Sequence, residues 1–140
     1  MADTLDGRFD MIVLHSYLVL DRLKGAEPRF RQDLVDEFFR DMDYSLRELG
    51  VGDLSVGKKV RKMAEVFYGR VAAYDTALAA EGNALVAALA RNVFPDDPAA
   101  AESDGAARLA DYARDQRSHL AAQDVKAIAG GQVSFREPTP

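Results

Sequence analysis

The 140-residue chain has no cysteine. That excludes disulfides, thiolate metal sites, iron–sulfur clusters and cysteine nucleophiles, and it fits a reducing compartment. Histidine is scarce, with only His15 and His119 present. Neither follows a glutamate by three positions, because Ile12 and Gln116 stand there, so the di-iron bundle pattern is missing and zinc-protease spacing with it. His15 adjoins Ser16, but neighbours on a helix point about 100° apart and do not form a nucleophile–base pair. His15 therefore reads as a satisfied core or boundary residue.

Long apolar runs are also lacking. The longest, Met11–Leu20, is interrupted by His15 and Ser16 and reaches about half of the ~20 residues that span a bilayer. The acidic opening Met1–Asp10 has neither the basic flank nor the apolar centre of a secretory signal, so a cytoplasmic location is expected. An excess of positive charge is missing as well: the net charge is −5, which argues against general or sequence-specific nucleic-acid binding. The charge is segregated, however. Lys58 to Arg70 holds five basic residues and one acidic residue, while the rest of the chain is strongly acidic.

What is present is helical periodicity. Hydrophobic residues make up 48% and charged residues 29%, ordinary values for a globular protein of one domain, so residues 1–140 are expected to share one core. The expected fold is all-α, a compact bundle of about five helices with a short extended C-terminal tail. The first helix, about Phe9 to Lys24, is apolar on two sides and should be central. The second starts at Pro28, which suits a first turn, and runs to about Leu49. Gly50 and Gly52 break it. The third and longest helix, about Ser55 to Ala80, aligns Val56, Val60, Met63, Ala64, Phe67, Val71, Tyr74 and Leu78. A fourth runs from Ala84 to Phe94 and is ended by Pro95. A fifth, about Ala106 to Gln123, has few large residues to bury and is expected to be the most weakly anchored. Residues 1–8 and 132–140 are expected to be loose.

Two features of the third helix invite a functional reading. Gly52-Asp-Leu-Ser-Val-Gly57-Lys58 echoes a phosphate-binding loop, but the next position is Lys59 instead of Ser or Thr, and no strand precedes it. Nucleotide binding is not expected, and no cofactor, metal or catalytic residue is assigned. Lys58, Lys59, Arg61 and Lys62 stand in the opening turns of the helix, where cations oppose the positive end of the dipole. An anionic partner would offset that cost. Solvation beside Asp53, Glu65 and the acid-rich second helix is the alternative. Gly69, inside the same helix, costs about 0.5–1 kcal/mol relative to alanine and calls for a local reason, either close helix packing or a groove.

Several ordered stretches carry a resemblance: Leu14–Leu23 (LHSYLVLDRL), Gln32–Asp43 (QDLVDEFFRDMD), Leu46–Val60 (LRELGVGDLSVGKKV), Met63–Arg70 (MAEVFYGR) and Ala73–Leu78 (AYDTAL), with weaker echoes at Arg91–Phe94 and Leu109–Tyr112. Together they resemble the ubiquinol–cytochrome c chaperone family, in its bacterial stand-alone form. The resemblance implies an assembly chaperone, not an enzyme, which binds newly made cytochrome b during biogenesis of respiratory complex III and needs no ATP. It also implies contact with a ribosome or with the inner face of the cytoplasmic membrane. The residues expected to meet the partner are Lys58, Lys59, Arg61, Lys62 and Arg70 for charge, with Tyr68, Tyr74 and Asp75 at the rim. A generic helical adaptor with another client is the competing expectation.

Overall fold

A computed structural model describes residues 3–139. Thr4 is extended and its hydroxyl accepts a hydrogen bond from the Gly7 amide at 3.1 Å, capping α1, Leu5–Arg22. With Asp6 in the first turn, this cap starts the helix four residues before the expected Phe9. A 3₁₀ turn, Leu23–Gly25, ends it. The helices α2, Pro28–Glu48; α3, Asp53–Ala79; α4, Ala84–Val93; and α5, Asp104–Ala121 follow as expected. A sixth, α6, Val125–Ala129, was not expected; Asp124 caps it by accepting from the Ala127 amide at 3.1 Å. The described residues contain no strand, so the all-α class is borne out.

Backbone contacts divide the chain into two compact units, Met1–Leu23 with Arg70–Pro140, and Lys24–Gly69. Helix α3 contributes to both, the division falling between Gly69 and Arg70.

The first unit holds most of the apolar core. Leu14, Tyr17 and Leu18 of α1 meet Tyr74 and Ala77 of α3, Leu85 and Leu89 of α4, and Ala110, Ala113 and Leu120 of α5. α5 is not the weakly anchored element that its few large side chains suggested. Ala106, Ala110, Ala113, Gln116 and Leu120 are all buried on one stripe, and alanine lets the helix approach α1 and α4 closely. Arg22 reaches the far end of α5, donating to the carbonyls of Leu120 at 2.9 Å and Gln123 at 2.7 Å, a cation at a helix C-terminus. Asp10 is 6% exposed and pairs with Arg70, which also donates to the Asn92 carbonyl at 3.3 Å. α1, α3 and α4 are thereby joined through one buried charge pair.

The second unit is a helical hairpin of α2 and the opening turns of α3. α2 ends in a Schellman motif: Gly50 at φ 87° donates to the Arg47 carbonyl at 3.0 Å, and Val51 donates to Leu46 at 3.1 Å. Arg47 then bridges Asp43 at 2.7 Å and Asp53, fastening the end of α2 to the start of α3. The apolar faces are only partly covered, since Val35, Val56 and Phe67 alone of this unit's hydrophobic residues are buried. Phe38 and Phe39 pack on Phe67 with ring centroids 5.2 and 5.3 Å away.

Gly69 does not mark close packing. A Cβ built there meets nothing within 4 Å, and the residue is exposed. Gly69→Ala is therefore expected to raise stability by about 0.5–1 kcal/mol through helix propensity and a less flexible unfolded chain, read as a higher urea midpoint. A fall in the midpoint would show that the glycine has a backbone role.

Candidate functional surface

Helical spacing sorts the opening half of α3 into two faces. Val56, Val60, Met63 and Phe67 point inward, and the opposite face carries Leu54, Lys58, Arg61, Glu65 and Tyr68 at successive steps of three and four residues. All five members of this outer stripe are exposed, with Leu54 at 101% and Tyr68 at 51%. Lys59 and Lys62 flank it, and the side chains of Ser55, Lys58, Lys59, Arg61, Lys62 and Glu65 surround a shallow hollow of about 560 Å³.

Arg8, Arg40, Arg47, Arg70, Arg114, Arg117 and Arg136 each have a carboxylate partner. On the stripe, Lys62 lies 3.6 Å from Glu65, while Lys58, Lys59 and Arg61 have no carboxylate partner among the described residues. Among the described residues Arg31, Arg91, Arg108 and Lys126 also lack a carboxylate partner, but they are scattered, whereas the stripe gathers its cations within five positions. α3 begins at Asp53, so the three unpaired cations of the stripe stand in its second and third turns, beyond the first turn where the dipole would oppose them as the sequence suggested. The same hairpin exposes apolar side chains: Leu49 is 68% and Tyr44 61% exposed, and Tyr68 rests against Phe39 at 6.1 Å between ring centroids.

Of the expected contact residues, Lys58, Lys59, Arg61, Lys62 and Tyr68 are brought together on this hairpin. Three others belong to the first unit. Arg70 is spent on Asp10, and burial pulls its guanidinium below its ordinary value. Tyr74 is fully buried in the core, where loss of solvation pushes its hydroxyl up. Asp75 is exposed and accepts from the buried Tyr17 hydroxyl at 3.2 Å, so it positions a core side chain. Leu54 and Glu65 were missed as stripe members, although stepping back from Lys58 by four and on from Arg61 by four finds both.

The stretch that echoes a phosphate loop is helical from Asp53 onward, so the amides of Gly57, Lys58 and Lys59 are engaged within α3 and do not cradle a phosphate. Among the described residues no group of three or more His, Asp or Glu side chains is placed to hold a metal ion. His15 is satisfied. Its Nδ1 donates to the Met11 carbonyl at 2.7 Å, since a carbonyl only accepts, and its Nε2 shares a hydrogen bond with the Tyr112 hydroxyl at 2.8 Å. Among the described residues no helix is long and apolar enough to cross a membrane.

Three comparisons with known proteins agree. The Ubiquinol-cytochrome C chaperone family model matches residues 1–135. The ubiquinol-cytochrome-c reductase complex assembly factor 1 of Xenopus laevis is 28% identical over 143 residues, covering 97% of this chain and 69% of that protein. The crystal structure of the Cbp3 homolog from Brucella abortus is 43% identical, with a TM-score of 0.75, and the match covers 96% of this chain and 75% of that one.

Proposed function

The chain belongs to the ubiquinol–cytochrome c chaperone family, and from that premise we propose that it serves assembly of ubiquinol–cytochrome c reductase by holding newly made cytochrome b, without ATP. The single observation that carries the docking surface is the trio of unpaired cations, Lys58, Lys59 and Arg61, beside the exposed side chains of Leu54 and Tyr68.

A membrane subunit leaving the ribosome presents apolar helices joined by polar loops. Apolar surface is driven from water onto any apolar partner, and acidic loop groups or lipid phosphates are drawn to unpaired cations. The hairpin offers both on one face. The same cations favour the anionic inner leaflet of the cytoplasmic membrane, where each basic residue near the surface contributes about 1 kcal/mol. Binding of this kind needs no nucleotide. The client leaves when contacts in the assembling complex compete for the surface it occupied.

The triple substitution Lys58→Glu, Lys59→Glu, Arg61→Glu tests this reading. The three side chains are exposed, so helicity and urea midpoint should stay near those of the parent chain. Capture of cytochrome b by the tagged variant should fall at least about tenfold, or ~1.4 kcal/mol, and the parent's capture should weaken as salt is raised. Undiminished capture would leave the stripe a solvated face. Reproducible recovery of an unrelated complex in place of cytochrome b would favour a general adaptor.

A further inference from the structure

Gln116 of α5 has 0% of its surface exposed, yet it is polar on both sides of its amide. Its hydrogen bonds go to backbone groups. Its Nε2 donates to the Arg136 carbonyl at 3.0 Å and its Oε1 accepts from the Arg136 amide at 2.8 Å. Gln123, two turns on, repeats the arrangement with Ser134, donating at 2.8 Å and accepting at 3.0 Å. Residues 134 and 136 present their N–H and C=O groups along one edge of an extended segment. A helix cannot normally answer such an edge, because its own amides and carbonyls are internally bonded. Here two glutamine side chains, each with one donor and one acceptor aimed outward, do what a neighbouring strand would do.

The contacts between those two clamps add side-chain selectivity. The Phe135 ring meets His15 edge-on with centroids 5.0 Å apart, and His15 is held in place by Met11 and Tyr112. Arg136 pairs with Asp115 at 3.0 Å. Further along, Glu137, Pro138 and Thr139 border a groove of about 680 Å³ whose floor includes Met11, Phe94 and Leu109.

We propose that α5 carries a receptor for an extended polypeptide segment, and that residues 132–139 occupy it as a displaceable stand-in for a partner segment bearing an aromatic residue followed by a basic one. The resident segment is lightly held. Residues 131–139 are all exposed, and they leave α6 through a glycine turn at Gly131, φ 90°. Their attachment is backbone hydrogen bonding, one ring edge, a surface ion pair and one exposed contact between His119 Nε2 and the Ser134 hydroxyl at 3.2 Å. With the segment away, water reaches the Gln116 amide, so an incoming extended segment competes with solvent and with residues 132–139 for the same donor and acceptor. The proposal stands on the first unit alone and does not depend on the cationic stripe.

The test uses the full chain and a labelled synthetic peptide, GQVSFREPT, matching residues 131–139. The variant Ser134→Pro, Arg136→Pro removes both clamped amides from the resident segment. The peptide is expected to bind this variant, to bind the parent chain at least tenfold more weakly, and to lose affinity for the variant when Gln116→Ala is added or when its own Phe is replaced by Ala. No binding to the variant, or equal binding to variant and parent, would overturn the proposal. Amide exchange in the parent chain supplies a measurement that needs no variant. Ser134 and Arg136 should exchange slowly and Val133 and Phe135 fast, with the two slow amides speeding up on raising temperature before those of α5. Uniformly fast exchange over 132–139 would remove the clamps, and exchange locked to global unfolding would remove displaceability.

Discussion

Arg70→Ala is expected to destabilise the chain by about 3–5 kcal/mol, because it leaves the Asp10 carboxylate buried without its counter-charge. Asp10 is 6% exposed, and the Arg70 side chain that covers it is 18% exposed. The loss is large for a reason of asymmetry: the intact pair gains little net energy over two apolar residues, whereas half a pair leaves the whole desolvation penalty uncompensated. Two controls isolate that cause. The double replacement Asp10→Leu, Arg70→Met should recover most of the stability, since it removes both charges and keeps volume. Arg114→Ala, which removes the partner of Asp111 at 3.2 Å on the surface, should change stability by no more than about 1 kcal/mol. Urea midpoints report all of these changes. An Arg70→Ala cost near that of Arg114→Ala would show that water reaches Asp10.

Phe67→Ala is the other large effect, expected at about 3–5 kcal/mol and confined at first to the hairpin. Phe67 is 1% exposed and is the only fully buried aromatic side chain of the Lys24–Gly69 unit. Phe38 and Phe39 both lean on it, so its removal takes away the surface that orders them as well as its own buried area. Val35 and Val56 are too small to replace that contact. Hydrogen exchange should show α2 and the opening turns of α3 losing protection at denaturant concentrations where α4 and α5 keep theirs. Phe67→Leu, which retains most of the volume, should lose far less. Equal loss of protection over all helices would mean that the two units unfold as one.

How far these features were legible in the sequence depends on whether their signal is local. Pro28 at the head of α2, the Gly50 stop and the inward stripe of α3 all act within a few residues, and their positions follow from spacing alone. Arg70 and Tyr74 continue the cationic helix in sequence, and spacing along that helix carries no information about what covers them. Asp10, the residue that explains Arg70, lies 60 positions away. The anchoring of α5 was underestimated for a different reason. Alanine carries little apolar mass, and its value lies in how near it lets a second helix come. Gln116 and Gln123 gave no signal, because an amide's purpose becomes visible only once the backbone it clamps is in place. The cationic stripe lay between these cases: its charges were plain, but its apolar member Leu54 showed only when the outer face was counted separately.

The pairing of α1 with α5 bears on how the protein is made. His15 meets Tyr112, Asp21 meets Arg117 and Arg22 meets Leu120, contacts separated by 97, 96 and 98 positions. Translation adds roughly 5–20 residues per second, so the first helix to emerge waits on the order of 5–20 s for the surface that will cover it. Through that interval Leu14, Tyr17 and Leu18 of a nascent α1 lack the α5 side chains that will cover them. The apolar face of α1 must therefore persist uncovered until the last third of the chain has been made.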